Sequence, residues 1–387
     1  VQTCALPIYL DTSTINQSYS TAIVHGSNAG GLVGVADVNP DYSAYNNGRN
    51  VIVNSYALGD VYGTTSNTGG LVGYMAKTTL SQSYAIGAVT GGDMTGGLVG
   101  YAEGGSLISQ TYATGKVIST TNAGGLVGGL TGEITVSDSY WNSETSGQPS
   151  SQGGASLTTT ELKQKTSFDG WEIASAGGSE SVWRIYDGKT APLLRTFLTN
   201  LTLSSASDTV TTTYNRSSPV LTAIANNGSI VSDKLLGTDV YVNAGTYSNV
   251  LSTLYSGQQG YDIKIAKELT TLQINPAQLS LVGVSATSRA YSGSTAVTLT
   301  GTGGLSGTVY GGDDVTLFGS TSSTGTLVSA NAGPQLVNVD SLGYRLEGAA
   351  KRNYQLISSL MVNISQATVT LSSIQKTYDG TTGLGNT

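Results

Sequence analysis

The chain has 387 residues, only 11% of them charged, with 52 Gly, 22 Tyr, one Cys, one His and a formal net charge of −7. That balance lacks the basic footprint a phosphate backbone demands and so excludes nucleic acid as a partner class. A single Cys excludes an internal disulfide framework and a Cys-based zinc site, and no run of 18 apolar residues could span a membrane as a helix.

Low charge with abundant Gly, Tyr, Ser and Thr points to β structure with many turns. Scarce Cys suits a cytosolic protein. It equally suits an exoprotein that must cross an oxidising periplasm unfolded, where a disulfide would lock a loop too wide for an export pore.

Residues Val1–Ile8 match nothing downstream and contain Cys4. They read as adapter-derived rather than native sequence, the alternative being a reactive surface thiol. Residues 1–10 are therefore expected to be non-native or disordered.

A repeat begins next. Gly-Gly-Leu-Val-Gly occurs at Gly30–Gly34, Gly69–Gly73, Gly96–Gly100 and Gly124–Gly128, with the last three copies starting 27 and 28 residues apart. Ser-Tyr or Thr-Tyr keeps the same beat at Tyr19, Tyr56, Tyr84, Tyr112 and Tyr140, the last four spaced by 28. Ala57/Gly59/Val61, Ala85/Gly87/Val89 and Ala113/Gly115/Val117 share one side of a strand, where side chains alternate, and read as packed inside. Leu58/Asp60, Ile86/Ala88 and Thr114/Lys116 form the variable, wet side, on which Tyr56, Tyr84 and Tyr112 could stack coil on coil. The Gly-Gly-Leu-Val-Gly copies supply a second strand and Leu80–Gln82 or Leu107–Gln110 a third, with glycines giving positive φ at the corners. Such units bury their apolar side only by stacking, so residues 11–145 read as a β-solenoid, a right-handed parallel β-helix rising roughly 4.8 Å per coil. The competing reading is a β-sandwich with similar hairpins. Extra residues between Gly34 and Val51 read as a protruding loop.

Residues 146–199 carry Trp171, Trp183, Phe168 and Phe197, with Trp141 just before them. They read as a cap over the last coil's open core and strand edges, or alternatively as a sugar-binding aromatic platform. Thr158-Thr-Thr-Glu161 fits a capping box with Leu157 and Leu162 as staple, predicting a short helix over 159–166.

A longer repeat follows. Tyr214-Asn-Arg-Ser-Ser218, Tyr291-Ser-Gly-Ser-Thr295 and Tyr378-Asp-Gly-Thr-Thr382 lie 77 and 87 residues apart. The first two are followed by Asn243–Gly245 and Asn331–Gly333, then by Gly260-Tyr-Asp-Ile263 and Asn353-Tyr-Gln-Leu356. Short strands with frequent turns predict a small β-domain over 200–276, a second over 277–366, and a truncated start of a third over 367–387. Tyr186-Asp-Gly188 lies in the cap without the rest of the unit and reads as coincidence.

The Gly-Gly-Leu-Val-Gly units with Ser-Tyr-Ala-x-Gly-x-Val resemble GLUG repeats of bacterial surface proteins. Tyr378-Asp-Gly-Thr-Thr, Gly311-Gly-Asp-Asp-Val-Thr-Leu317 and Asn331-Ala-Gly resemble the YDG domain. Together they resemble filamentous-haemagglutinin-like exoproteins exported by the two-partner route, over about residues 11–387. The family pattern has Asp where this chain has Ser292, and Asp-Gly where it has Asn215-Arg216, so the unit at 200–276 is a degenerate one. The resemblance implies an extracellular or cell-surface location on a Gram-negative bacterium and an outer-membrane two-partner-secretion pore as export partner. A host-cell, matrix or glycan receptor is implied without its identity. The family's secretion domain is not among these residues, so the export route follows from the resemblance alone. GLUG repeats also occur beside surface peptidase domains.

The sequence offers no catalytic, cofactor-binding or metal site. His25 cannot by itself make a triad or metal centre and reads as a loop or first-coil residue. Asp60 is succeeded one coil on by Ala88 and then Lys116, so no carboxylate ladder forms. Asp313-Asp314 could hold a weak Ca²⁺ but reads as a solvated turn. Gly301–Gly307 lacks the Lys of a phosphate loop. Asn16, Asn200, Asn215, Asn227 and Asn363 head glycosylation-type triplets, incidental in a bacterial chain rich in Asn, Ser and Thr. The expected function is a non-enzymatic adhesin segment acting as stalk. The alternatives are a β-helix polysaccharide-degrading enzyme and an accessory region of a surface peptidase.

Overall fold

The computed structural model describes residues 9–38, 48–219, 223–225, 232–237, 241–370, 378 and 380. Val1–Ile8 with Cys4, Asn39-Pro40, Asn46-Asn47, Asn227-Gly-Ser and all of the third Tyr motif except Tyr378 and Gly380 lie outside the described residues. The chain is all-β, and its only helical elements among the described residues are short 3₁₀ turns. It divides into two compact units: Val1–Asp208 with Thr222–Thr238 and Asn249–Leu269, and Thr209–Leu221 with Asp239–Ser248 and Thr270–Thr387.

The first unit is built on stacked parallel coils. Tyr84 stands beside Tyr56 on one side and Tyr112 on the other, and Tyr112 beside Tyr140, so coil neighbours are 28 residues apart. The offset changes from 39 at Met75↔Ala36 to 28 at Thr78↔Asn50, which places the additional residues between Ala36 and Asn50. The four Gly-Gly-Leu-Val-Gly strands, Val33–Ala36, Val72–Ala76, Val99–Glu103 and Val127–Thr131, form a five-stranded parallel sheet with Tyr9–Leu10, which pairs with Val35 and Ala36. The strand expected near Leu80–Gln82 is continuous with Ser-Tyr-Ala, as Thr78–Ala85.

The interior is packed with apolar side chains. Ile52, Leu71, Val72, Met75, Leu80, Leu98, Val99, Ile108, Leu126 and Val127 are fully buried, and Ala57, Ala85 and Ala113 face inward with them. One coil beyond Ala113 the inward position is Trp141, whose ring lies where a Cβ on Gly125 would fall, 2.1 Å away. A large ring at that rung fills the core's end, and beyond it the short parallel strand Ala155–Leu157 adds a last rung, with Ser156 beside Trp141.

The corners follow expectation in part. Gly105 and Gly132, each between a Gly-Gly-Leu-Val-Gly strand and the strand after it, take positive φ at 78° and 84°. The glycines of Gly69-Gly-Leu-Val-Gly73 and Gly96-Gly-Leu-Val-Gly100 have no positive φ, and other corners are turned by Gln17, Asn54, Gln82, Gln110 and Asp138, and by Asn28, Asn67 and Met94, at φ between 45° and 60°. The repeat glycines answer to space. A Cβ on Gly70 would stand 2.1 Å from the Gly97 carbonyl oxygen and one on Gly73 2.5 Å from that of Asn28. Backbone passes so close to backbone there that no side chain fits.

In the second unit, Ala277–Ala286 pairs antiparallel with Ala296–Ser306 and parallel with Tyr354–Ile357. Its core is Leu281, Val297, Leu299, Leu327, Val337, Leu342, Val362 and Ile364. Residues 200–276 contribute to both units: Thr199–Ser205 and Tyr261–Lys267 pair in the first, Thr209–Thr213 and Thr271–Asn275 in the second.

Candidate functional site: a clad tyrosine column and the cleft beside it

The Ser/Thr-Tyr dipeptides build two ladders. The hydroxyl one is inward: Ser55 N–H donates to Ser83 Oγ and Thr111 N–H to Ser139 Oγ, each at 3.2 Å. The aromatic one is outward, with Tyr19, Tyr56, Tyr84 and Tyr112 stacked at 5.1, 5.1 and 4.8 Å between centroids and within 8° of parallel. Identical rings one coil apart stack because the coil rise and the ring spacing coincide.

Parity puts these tyrosines on the wet side, yet Tyr56, Tyr84 and Tyr112 are buried. Residues 157–197 cover them. Phe197 meets Tyr19 and Tyr56 edge-on, Trp183 leans on Tyr84 and Tyr112, and Phe168 and Trp171 meet Tyr140. The aromatic rings of 168–197 thus clad the side of the stack, while its end is covered by Trp141 together with residues 150–157. There Ser151 Oγ accepts from Leu126 and Val127 N–H at 3.1 and 2.9 Å, and Ala155–Leu157 pairs with Tyr140–Asn142. The reason for the side cladding is the apolar flank the tyrosine column presents along its length. With Trp141, Trp171 and Trp183 all buried, their rings form no open sugar platform.

Tyr56 accepts from Gln259 Nε2 at 2.8 Å, Tyr84 donates to Gln258 Oε1 at 2.9 Å, and Tyr112 donates to the Pro192 carbonyl at 2.7 Å. Burial pushes Tyr56 up to about 12, and pushes Tyr84 and Tyr112 up as well.

The expected helix at 159–166 is replaced by two 3₁₀ turns, Glu161–Lys163 and Lys165–Ser167. The capping box itself forms: Thr158 N–H donates to the Glu161 carboxylate at 2.8 Å and Glu161 N–H to Thr158 Oγ1 at 3.2 Å. Gln164, extended at φ −100° and ψ 125°, stops the turn before a second α-helical bond can follow. Leu162 is held in the aromatic layer instead.

Behind the cladding lies an ionic centre. The Asp262 carboxylate is wholly buried between Arg184, at 3.1 Å, and Arg195. The Arg184 approach is a charge contact rather than an aligned hydrogen bond, and its guanidinium lies over the Tyr186 ring at 3.8 Å. Burial pushes the Arg184 pKa down, against the raising effects of Tyr186 and Asp262. Tyr186 donates to the Tyr261 carbonyl at 2.6 Å and accepts from Ile263 N–H at 3.1 Å. A cleft of about 480 Å³ opens here, lined by Arg184, Tyr186, Asp187, Lys189, Tyr255 and Lys264 among others. Its exposed charges are Lys189, Lys264 and Asp187. That set suits electrostatic contact with a polar ligand, whereas hydrolysis of a glycosidic bond ordinarily takes a pair of carboxyl groups.

The residues singled out in the sequence are not brought together. His25 stacks on Tyr62 at 4.8 Å as part of a second aromatic step. Asp60 spends its carboxylate on Ala88 N–H at 2.8 Å, one coil on. Asp313 accepts from the Tyr214 and Tyr354 hydroxyls at 2.8 and 2.7 Å, and Asp314 from Ala349 N–H at 3.0 Å. Gly301–Ser306 lies within the long strand Ala296–Ser306 rather than in a phosphate-type loop. Among the described residues no three of His, Cys, Asp and Glu converge. Sequence reasoning missed Asp262 with its two arginines; the available signal was a lone Asp inside the apolar strand Gly260-Tyr-Asp-Ile263 of a charge-poor chain.

Two family models match this chain. The YDG domain covers residues 275–361 and the GLUG motif residues 91–118. No curated protein and no solved structure matches. The GLUG match falls on the coil running from Gly91 to Ile118, and the YDG match on the second unit's own core. Both fit a repeat-bearing secreted or surface protein.

Proposed function

We propose that this chain is a segment of a filamentous-haemagglutinin-like adhesin of a Gram-negative bacterium. It would be exported through a two-partner outer-membrane pore and act as a non-enzymatic stalk that presents binding regions. The observation that carries this reading is the union in one chain of a GLUG-type coil stack and a YDG domain. Stacked coils lengthen by adding identical units, each supported by its neighbours, which is the property a stalk needs. The non-enzymatic reading is supported by where the polar groups go: Asp60, Asp262, Asp313 and Asp314 all hold the protein's own donors or cations. The enzyme alternative would need a carboxylate pair, and Asp187 is the acid on the cleft wall.

The test is to express the complete gene product with and without its neighbouring outer-membrane pore and to digest intact cells with protease. Pore-dependent surface exposure, followed by binding of the purified protein to host cells, matrix proteins or glycans, is expected. Retention inside the cell, or release of reducing ends from surface polysaccharide by the purified protein, would overturn it.

A further inference from the structure

In the second unit, two stretches of chain repeat one backbone arrangement. Thr209–Thr213 runs parallel to Thr271–Asn275 while Gly245–Ser248 runs antiparallel on the other side, so that Ile274 faces both Thr212 and Gly245. Arg289–Ala290 runs parallel to Met361–Ser365 while Gly333–Leu336 runs antiparallel, so that Ile364 faces both Arg289 and Gly333. The next residue closes the same bond each time: Tyr214 N–H to the Asn275 carbonyl and Tyr291 N–H to the Ser365 carbonyl, both at 2.8 Å. Tyr291 therefore corresponds to Tyr214, and Asn331 to Asn243.

The first set is engaged by the YDG domain. Tyr214 is 3% exposed, edge-on to Tyr310 and Tyr354 at 5.8 and 5.5 Å, with its hydroxyl on Asp313. The Asn353 amide makes a two-point contact, donating to Asn243 Oδ1 at 3.0 Å and accepting from Ala244 N–H at 2.8 Å. Burial opposes the Asp313 charge, but the Tyr354 and Tyr214 hydroxyls and Arg216 outweigh it and hold its pKa below the ordinary carboxylate value. The corresponding Tyr291 is 44% exposed, and Asn331 and Ala332 are exposed.

We propose that Tyr291 and Asn331 are the docking face for a further copy of the 277–366 unit following in tandem. They would grip its counterparts of Asp313, Asn353 and Tyr354 as Tyr214 and Asn243 grip those residues here. The occupant is a following unit and not a second copy of this whole chain, whose own Asp313 and Asn353 are already taken. Gly293 stands where Arg216 stands, so the Arg216–Asp313 ion pair is not reproduced. The tyrosine hydroxyl and the asparagine pair carry the joint.

The test uses the full chain with residues 367–387 replaced by a second copy of 277–366, followed by native-state hydrogen exchange in the added copy. Tyr291→Phe, or Asn in place of the added copy's counterpart of Asp313, should each lower protection about tenfold, as for loss of a hydrogen bond to a charged group. The double variant should lose no more than either single one. Asn331→Ala, a change at an exposed position, should cost a similar factor and leave the 387-residue chain unaltered. Unchanged protection in the Tyr291→Phe variant, or effects that multiply in the double variant, would overturn the proposal.

Discussion

Gly97 and Gly26 show how differently one residue type can be used. A Cβ on Gly97 would sit 2.2 Å from the Gly125 carbonyl oxygen, whereas one on Gly26 meets nothing within 4 Å. Gly97→Ala is expected to cost about 3 kcal/mol, at the upper end of overpacking penalties, and Gly26→Ala close to nothing, as read from thermal unfolding. The requirement for glycine was legible in the sequence, but its cause was not. Repetition alone cannot distinguish a glycine needed for φ from one needed because a neighbouring coil's backbone passes within contact distance. The tyrosine column gives a second residue-scale expectation. The folded-state pKa of Tyr56 lies at about 12 and those of Tyr84 and Tyr112 are also raised. Their contribution to stability is therefore present below the unfolded value of about 10 and is lost as pH rises through the folded values. Tyrosinate absorbance should rise first for exposed tyrosines, while the column ionises only together with loss of circular dichroism. Ionisation of every tyrosine near pH 10 without unfolding would contradict the buried column.

At the scale of elements, the strands were legible because a 28-residue beat preserves register through Tyr56, Tyr84 and Tyr112. The helix at 159–166 was not, because a capping box starts a turn without deciding whether it continues. Leu162 in the aromatic layer and Gln164 in an extended conformation decided that through tertiary packing. The direction of the cladding was also hidden. An aromatic-rich segment after a repeat fits an end plug and a side cover equally well until the tyrosine parity is read as an apolar flank. Trp183→Ala, which removes a fully buried ring leaning on two rungs, should cost about 3–5 kcal/mol. Unchanged thermal stability would show that the cladding does not hold the stack. Asp262→Ala leaves Arg184 and Arg195 facing each other in a buried site, and a loss of about 3–5 kcal/mol is expected in urea unfolding. Asp262→Asn should recover part of it by keeping the hydrogen-bond acceptor.

At the scale of the whole molecule, the first unit is a stack of interchangeable coils clad along one flank. Deleting Tyr84–Thr111 joins Ser83 to Tyr112, residues that already follow one another in register. Because the rungs are all tyrosine, Gln258 would meet Tyr56 in place of Tyr84, and Gln259 would meet Tyr19 in place of Tyr56. Deleting half a coil, Tyr84–Gly97, would set Leu98 beside Ser83 and turn inward residues out. The decisive measurement is thermal unfolding of these two deletions, followed by circular dichroism. The whole-coil deletion should unfold cooperatively with a modestly lowered Tm, and the half-coil deletion should show no cooperative transition. Equal damage from both would contradict the coil stack.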